Sequence, residues 1–221
     1  MDFNKRKDLV FIVLAGFFVT NAIVAELIGG KVVEFFGLFK QSVGIILWPV
    51  VFLLTDLINE HYGKQGVRKL TYITVGLIAY MFLIISISLH IKSIPGGPVN
   101  DESFTMVFGQ SQWIILGSII AFLISQLVDV YIFWVFRNRT GSKLIWLRAT
   151  GSTVISQLFD TFLVQYIAFV LPGKWTMDQF TTNAAWGYSF KLLIAFCLIP
   201  FIYFGHFAIN KYMGHGKTQE E

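Results

Sequence analysis

The sequence predicts an all-α, polytopic membrane protein: a bundle of six transmembrane helices with both the N-terminus and the C-terminus in the cytoplasm. Three observations predict it. Hydrophobic residues make up 55% of the 221 and charged ones only 14%, which is too little charge to cover a soluble domain of this length. Six apolar stretches recur, at about 9–28, 43–60, 70–89, 113–136, 147–171 and 186–209. The connections between them alternate between rich and poor in Lys and Arg. The 23 Phe and six Trp also suit lipid-facing surfaces and interfacial belts better than one close-packed core.

The first stretch follows Lys5-Arg6-Lys7, a start that also suits a signal peptide. Leu9 to Ile28 is nevertheless as long as a full span and lacks a small-residue cleavage site, so a retained first helix is expected. Most of the stretches approach the ~20 residues needed to cross a ~30 Å hydrocarbon core at 1.5 Å per residue. The second is shorter, and Pro200 interrupts the last. The longest connection, Ile91 to Gln112, carries Pro95-Gly96-Gly97-Pro98 and Asp101-Glu102, signals of turn and solvent. It reads as an external loop with a short helix near Phe104. No segment reads as a soluble domain, so residues 1–221 form a single transmembrane domain, with 213–221 a polar tail expected to be disordered.

Orientation follows from charge, because Lys and Arg resist translocation. Lys5, Arg6, Lys7, Lys64, Arg68, Lys69, Arg137, Arg139, Lys143, Arg148, Lys211 and Lys217 fall on one side, and only Lys31, Lys40, Lys92 and Lys174 on the other. Twelve against four, with the correct alternation at every connection, puts both ends inside. The same spread over short loops argues against nucleic acid as the reason for the net charge of +4. Cys197 is the one cysteine, so an internal disulfide and a cysteine metal site are excluded. The sequence has neither a Gly-x-x-x-x-Gly-Lys-Ser/Thr loop nor a His-Glu-x-x-His pair. No enzyme, cofactor or metal is expected, and the expected surroundings are membrane lipid.

Ionisable and amide side chains within the spans carry the function, because each costs at least ~2.5 kcal/mol to insert. Ser125-Gln126-Leu127-Val128-Asp129 in the fourth span recurs as Ser156-Gln157-Leu158-Phe159-Asp160 in the fifth. Ser118, Phe122, Ser125, Gln126 and Asp129 share one helical face, as do Thr153, Ser156, Gln157 and Asp160. Two such stripes must face the bundle interior and are expected to present matching polar groups to one cavity. Asp56, Asn59 and Glu60 share a face near the cytoplasmic end of the second span. Asp56 either lines the cavity or holds a cytoplasmic gate, while Glu60 either lies in the wet interface or pairs with Arg68 or Lys69. Lys191 has two roles open to it, snorkelling to the external interface or balancing a carboxylate in the cavity. Asn21 either lines the site or bonds between helices, and Glu26 is expected at the outer interface.

Taken in order, Thr55-Asp56, Asn59-Glu60, Tyr62-Gly63-Lys64, Ser125-Gln126 with Asp129 and Phe133, Arg139-Thr140-Gly141, Trp146-Leu147-Arg148, Ser152-Thr153 and Ser156-Gln157 with Asp160-Thr161 resemble the queuosine precursor transporter family, formerly grouped with vitamin uptake transporters. The resemblance runs from about Asn21 to Tyr203. It implies an inner-membrane importer of 7-cyano-7-deazaguanine, 7-aminomethyl-7-deazaguanine or a related base destined for transfer RNA. On that footing Asn21, Asp56, Gln126, Asp129, Phe133, Gln157, Asp160 and Lys191 are the expected substrate-binding residues. Asn59, Glu60, Arg68 and Arg148 are the expected gate or cytoplasmic network. The N1–H and 2-amino group of a 7-deazaguanine are adjacent donors that Asp129 or Asp160 can accept. Phe122, Phe133 or Phe159 can stack on the ring. A homodimer is a further expectation. Two other classes fit the same residues: a substrate-binding subunit of an energy-coupling-factor transporter, and a membrane enzyme or assembly factor using the intramembrane carboxylates.

Overall fold

The computed structural model describes residues 3–37, 39–109, 112–140 and 144–213. Apart from connecting turns, the described residues are helical with one small hairpin. Helix α1 spans Phe3–Leu27 and leads through a 3-10 turn, Ile28–Gly30, into strands β1 (Val32–Phe35) and β2 (Phe39–Ser42). Then follow α2 (Trp48–His90), α3 (Asp101–Phe108), α4 (Gln112–Thr140), α5 (Ile145–Gln165) continued by a π-helical turn Tyr166–Val170, α6 (Met177–Cys197) and α7 (Ile199–Met213).

Four helical stretches are long and apolar enough to cross a membrane: Lys5–Gly30, Val43–His90, Asp101–Thr140 and Trp146–Val170. Helices α6 and α7, bent by 43° at their junction, make a fifth if the bent pair is counted as one span. The protein is thus a polytopic membrane protein. The bend falls just ahead of Pro200, whose missing N–H cannot continue the hydrogen-bond ladder.

Helix α2 is not one rod. At 1.5 Å per residue its 43 residues would reach about 65 Å, twice the hydrocarbon thickness. Gly63 breaks it with φ 74° and ψ 176°. Residues before the break run antiparallel to α1: Gly44 abuts Ala25 near the end of α1, and the Tyr62 hydroxyl donates to the Lys7 carbonyl near its start at 2.7 Å. Residues after it run parallel to α1, with Gly66 against Phe11 and Met81 beside Ile23 and Leu27. The two halves, 48–62 and 64–90, are therefore a helical hairpin. Only glycine takes this backbone conformation readily, at a cost to other residues of order 1–3 kcal/mol. Gly63→Val is expected to lower the thermal stability of the purified protein by about that amount, read as a drop in unfolding midpoint.

The contacts gather the basic segments at one end of the bundle. Arg6 donates to the Tyr212 carbonyl at 3.2 Å, and Glu60 meets both Arg137 and Arg148. The β-hairpin marks the opposite end. It pairs Val32 with Ser42 and Phe35 with Phe39, and turns through Phe36 and Gly37 at φ 55° and 67°. Phe39 stacks on Trp186 of α6, Phe35 packs on Phe190, and Gln41 donates to the Asn183 carbonyl at 3.1 Å. The hairpin was not expected in an all-α chain, and its aromatic residues anchor it to α6 as a roof.

Helix α6 begins at Met177, well before the expected start near 186, because Thr176 and Gln179 form a reciprocal capping box. The short helix expected near Phe104 is α3, capped by the Asn100 side chain. Met213, expected in a disordered tail, ends α7 and is buried; the rest of that tail lies outside the described residues.

Lipid is as apolar as leucine, so close packing rather than escape from water holds such helices together. Helices α4 and α5 approach most intimately where Gly117 lies against the backbone of Val164 and Ala168; an added Cβ would stand 3.1 Å from the Val164 oxygen. Phe18, Val51, Ile58, Val67 and Phe122 fill the centre between α1, α2 and α4.

Candidate functional site

The repeated Ser-Gln-Leu-x-Asp segments face each other across the antiparallel pair α4 and α5. The Ser125 hydroxyl donates to Asp160 at 3.3 Å, and the Ser156 hydroxyl donates to Asp129 at 2.9 Å. Each motif's serine therefore serves the other motif's aspartate, as a local two-fold relation between antiparallel copies requires. Asp160 lies level with Ser125 and Asp129 with Ser156, so the carboxylates differ in depth by about 6 Å, four residues of helical rise. That offset gives them different surroundings.

Asp160 faces the hairpin end. Its other oxygen meets the Lys191 ammonium at 2.6 Å, and Lys191 is itself only 5% exposed. Of the two roles open to Lys191, the structure selects the balancing of a carboxylate. The pair lies in the wall of a cavity of about 320 Å³, within the range of small-molecule sites. Glu26 and Ser118 line one side, Gln165 and Lys191 another, and Gln41 and Ser42 of β2 form the roof. Trp48, Phe169 and Trp175 add flat apolar surface, the last two stacked at 4.2 Å. The π-helical turn after α5 brings Ala168 and Phe169 into the wall, a departure from α geometry that recurs at functional sites. The Oε1 atom of Gln165 is buried there without a hydrogen-bond partner among the described residues.

Glu26 is the main residue that sequence reasoning missed. It is 5% exposed and lines the cavity together with Ser118. Its position near the end of a span suggested an interfacial carboxylate, but the hairpin folds over it. The only signal for burial was the run of small and β-branched residues around it, which hydropathy does not distinguish from lipid-facing surface.

Asp129, Gln126, Gln157, Phe133 and Asp56 do not line this cavity. They form a second polar layer nearer the basic end. Thr55 of α2 donates to Gln126 of α4 at 3.1 Å, and the Ser156 hydroxyl of α5 holds one oxygen of Asp129 at 2.9 Å. Several atoms of this layer are buried without a partner among the described residues, including Asp56 Oδ1, Asp129 Oδ2, Gln126 Nε2, Gln157 Oε1 and both polar atoms of Asn59. Asn21 stands apart, its amide donating to the Phe17 carbonyl of its own helix at 2.8 Å.

Beneath that layer, Arg148 presents Nε and Nη2 to one oxygen of Glu60 at 3.1 and 2.8 Å, and Arg137 approaches the same oxygen at 3.5 Å. Arg148 is 1% exposed and its guanidinium lies over the Phe133 ring. The expected Arg68 is not in this network. It is exposed on the far side of the Gly63 turn, and Glu60 takes Arg148 and Arg137 in place of Arg68 or Lys69. Among the described residues no group of three or more His, Cys, Asp or Glu side chains could hold a metal ion.

Among the described residues this arrangement is a polar chamber, a buried polar layer and an ion-pair network stacked along a helical bundle, with no assembled nucleophile. Comparison with known proteins agrees with that reading. Residues 42–205 match the family described as "Putative vitamin uptake transporter". The chain is 31% identical over 175 residues to a probable queuosine precursor transporter of Bacillus subtilis, covering 78% of this chain and 74% of that one. It is 26% identical over 162 residues to a probable queuosine precursor transporter of Haemophilus influenzae (72% and 66%), and 26% over 158 residues to the queuosine precursor transporter of Escherichia coli (71% and 68%). No solved structure matches the chain. A membrane bundle whose polar residues surround a cavity rather than a reaction centre, with these relatives over most of its length, belongs to the queuosine precursor transporter family, a family of transporters and not of enzymes.

Proposed function

We propose that the protein imports a 7-deazaguanine base, 7-cyano-7-deazaguanine or 7-aminomethyl-7-deazaguanine, across the inner membrane for transfer RNA modification, and that it does so through six spans with both termini in the cytoplasm. The hairpin at Gly63 supports the sixth span, because residues 48–62 and 64–90 run in opposite directions. The gathering of Lys5–Lys7, Gly63–Lys69, Arg137 of α4 and Arg148 of α5 at one end supports the orientation.

The observation that carries the substrate reading is the cavity beneath the β-hairpin. A 7-deazaguanine is flat and neutral, with adjacent N1–H and 2-amino donors. Glu26 offers a carboxylate from one wall and the Asp160–Lys191 pair a carboxylate and an ammonium from the other. The carboxylate accepts the paired donors, Lys191 and the Gln165 amide suit the 6-oxo group and ring nitrogens, and Trp48 supplies a stacking face. The Glu60–Arg148 network, with Asn59 above it, closes the path toward the cytoplasm in this conformation.

Glu26→Gln keeps the shape and removes the charge. A hydrogen bond to a charged group contributes about 1.5–3 kcal/mol, so uptake half-saturation should rise roughly ten- to hundredfold. The function itself is tested in cells unable to make deazaguanines and deprived of other importers. Expression of this chain alone should carry labelled external base into transfer RNA; unlabelled transfer RNA despite inserted protein would reject the reading. Success without added ATPase partners also excludes the energy-coupling-factor arrangement.

A further inference from the structure

Among the described residues, the buried acids are not equally provided for. Asp160 has Lys191, and Glu60 has Arg148 and Arg137. Asp56 and Asp129 form no ion pair, although they are 4% and 0% exposed. The two segments meet directly: Thr55, next to Asp56 on α2, donates to Gln126, one turn before Asp129 on α4, at 3.1 Å. One oxygen of each is buried without a partner, as is the whole amide of Asn59, one helical turn from Asp56 on the same face. The other charged and titratable groups around the pair are already engaged. On α2, Glu60 is tied to the arginines; on α5, Arg148 is committed to Glu60 and Asp160 to Lys191 of α6; on α7, His206 bonds His61 and Asn210.

Two adjacent carboxylates cannot both stay ionised in such a place without a cation. A metal ion is disfavoured by the backbone: α4 and α5 run unbroken through Asp129 and Ser152–Ser156, so their carbonyls are spent within the helices. Ion sites in transporters draw on unwound carbonyls. We infer that Asp56 and Asp129 hold one proton between them, and that this proton travels inward with the substrate, making the protein a proton-coupled importer.

The crossed pairs of α4 and α5 supply the linkage. Asp160 and Ser125 stand in and behind the cavity wall, while Asp129 and Ser156 stand one turn deeper on the same two helices. Any shift of α4 against α5 on substrate binding moves both pairs together. The proton enters from water at the hairpin end onto a carboxylate oxygen and leaves to water at the basic end, one proton per transport cycle, with no other bond made or broken.

This rests on the transport reading above, so the test has two arms. In proteoliposomes holding the purified full chain, an inside-alkaline gradient should drive 7-cyano-7-deazaguanine above equilibrium, and a sodium gradient should not. Asp129→Asn and Asp56→Asn should lose gradient-driven accumulation at least tenfold more than they lose exchange of labelled for unlabelled base. Asp129→Glu, which keeps a protonatable group, should recover part of it. Independently of substrate, infrared spectra near neutral pH should contain a protonated-carboxyl band that disappears in Asp129→Asn. Absence of that band, sodium-driven accumulation, or accumulation indifferent to the pH gradient would overturn the inference. A wild type that moves no deazaguanine would overturn the functional reading, while the infrared band still decides whether the proton is held.

Discussion

Replacing Asp160 with Asn is expected to reduce uptake by at least a hundredfold. The carboxylate binds at 2.6 Å to a lysine that is 5% exposed, so the substitution strands a buried ammonium as well as removing an acceptor. Breaking such a pair costs about 3–5 kcal/mol, because the remaining charge keeps its desolvation penalty. The single variant should therefore also unfold at lower temperature. The double variant Asp160→Asn/Lys191→Met removes both charges and should regain most of the stability but none of the uptake. If the double variant transported normally, the pair would be structural only.

Arg148→Met is expected to have the next largest effect. Arg148 directs two nitrogens at one oxygen of Glu60 and lies over Phe133. Methionine fills much of the volume but leaves Glu60 with only the more exposed Arg137 at 3.5 Å. A loss of about 3–5 kcal/mol in stability and at least a tenfold loss of uptake should follow. Arg148→Lys keeps the charge but not the planar fork, and should fall between. Glu60→Gln/Arg148→Met should melt near the wild-type temperature while remaining defective, which separates closure of the basic end from simple folding. Wild-type uptake in that double variant would remove the network from the transport cycle.

The large features were legible in the sequence because they depend on hydropathy summed over many residues. The stretches expected at 9–28, 113–136 and 147–171 correspond to α1, α4 and α5 with its π-helical extension. The stretches at 43–60 and 70–89 are the two limbs of α2, joined at Gly63. The repeated Ser-Gln-Leu-x-Asp segments signalled a special pair of helices. Their crossed bonding needed the antiparallel register, which places Ser125 opposite Asp160 and Ser156 opposite Asp129.

What the sequence concealed concerns direction around a helix and contacts between distant elements. Glu26 has the depth of an interfacial residue, and nothing in its neighbourhood says that Val32–Ser42 will fold back over it. The start of α6 was hidden because Asp178, Gln179, Thr181, Thr182 and Asn183 are polar, although Thr176 and Gln179 already spelled a capping box. For Glu60 the sequence offered the wet interface or a pair with the nearby Arg68 or Lys69. The tight turn at Gly63 leaves Arg68 exposed, and the α4–α5 pair delivers Arg137 and Arg148 instead. Asp129 and Asp160 looked equivalent along their helices, yet one turn of depth divides them into a cavity wall and a buried layer.

The central claim is that the chamber between Glu26 and the Asp160–Lys191 pair binds the base. Isothermal titration of the purified protein with 7-cyano-7-deazaguanine tests it most directly. One saturable site should be present in the wild type, weakened at least tenfold in Glu26→Gln and lost in Asp160→Asn/Lys191→Met. Binding of unchanged affinity in both variants would put the substrate elsewhere in the bundle.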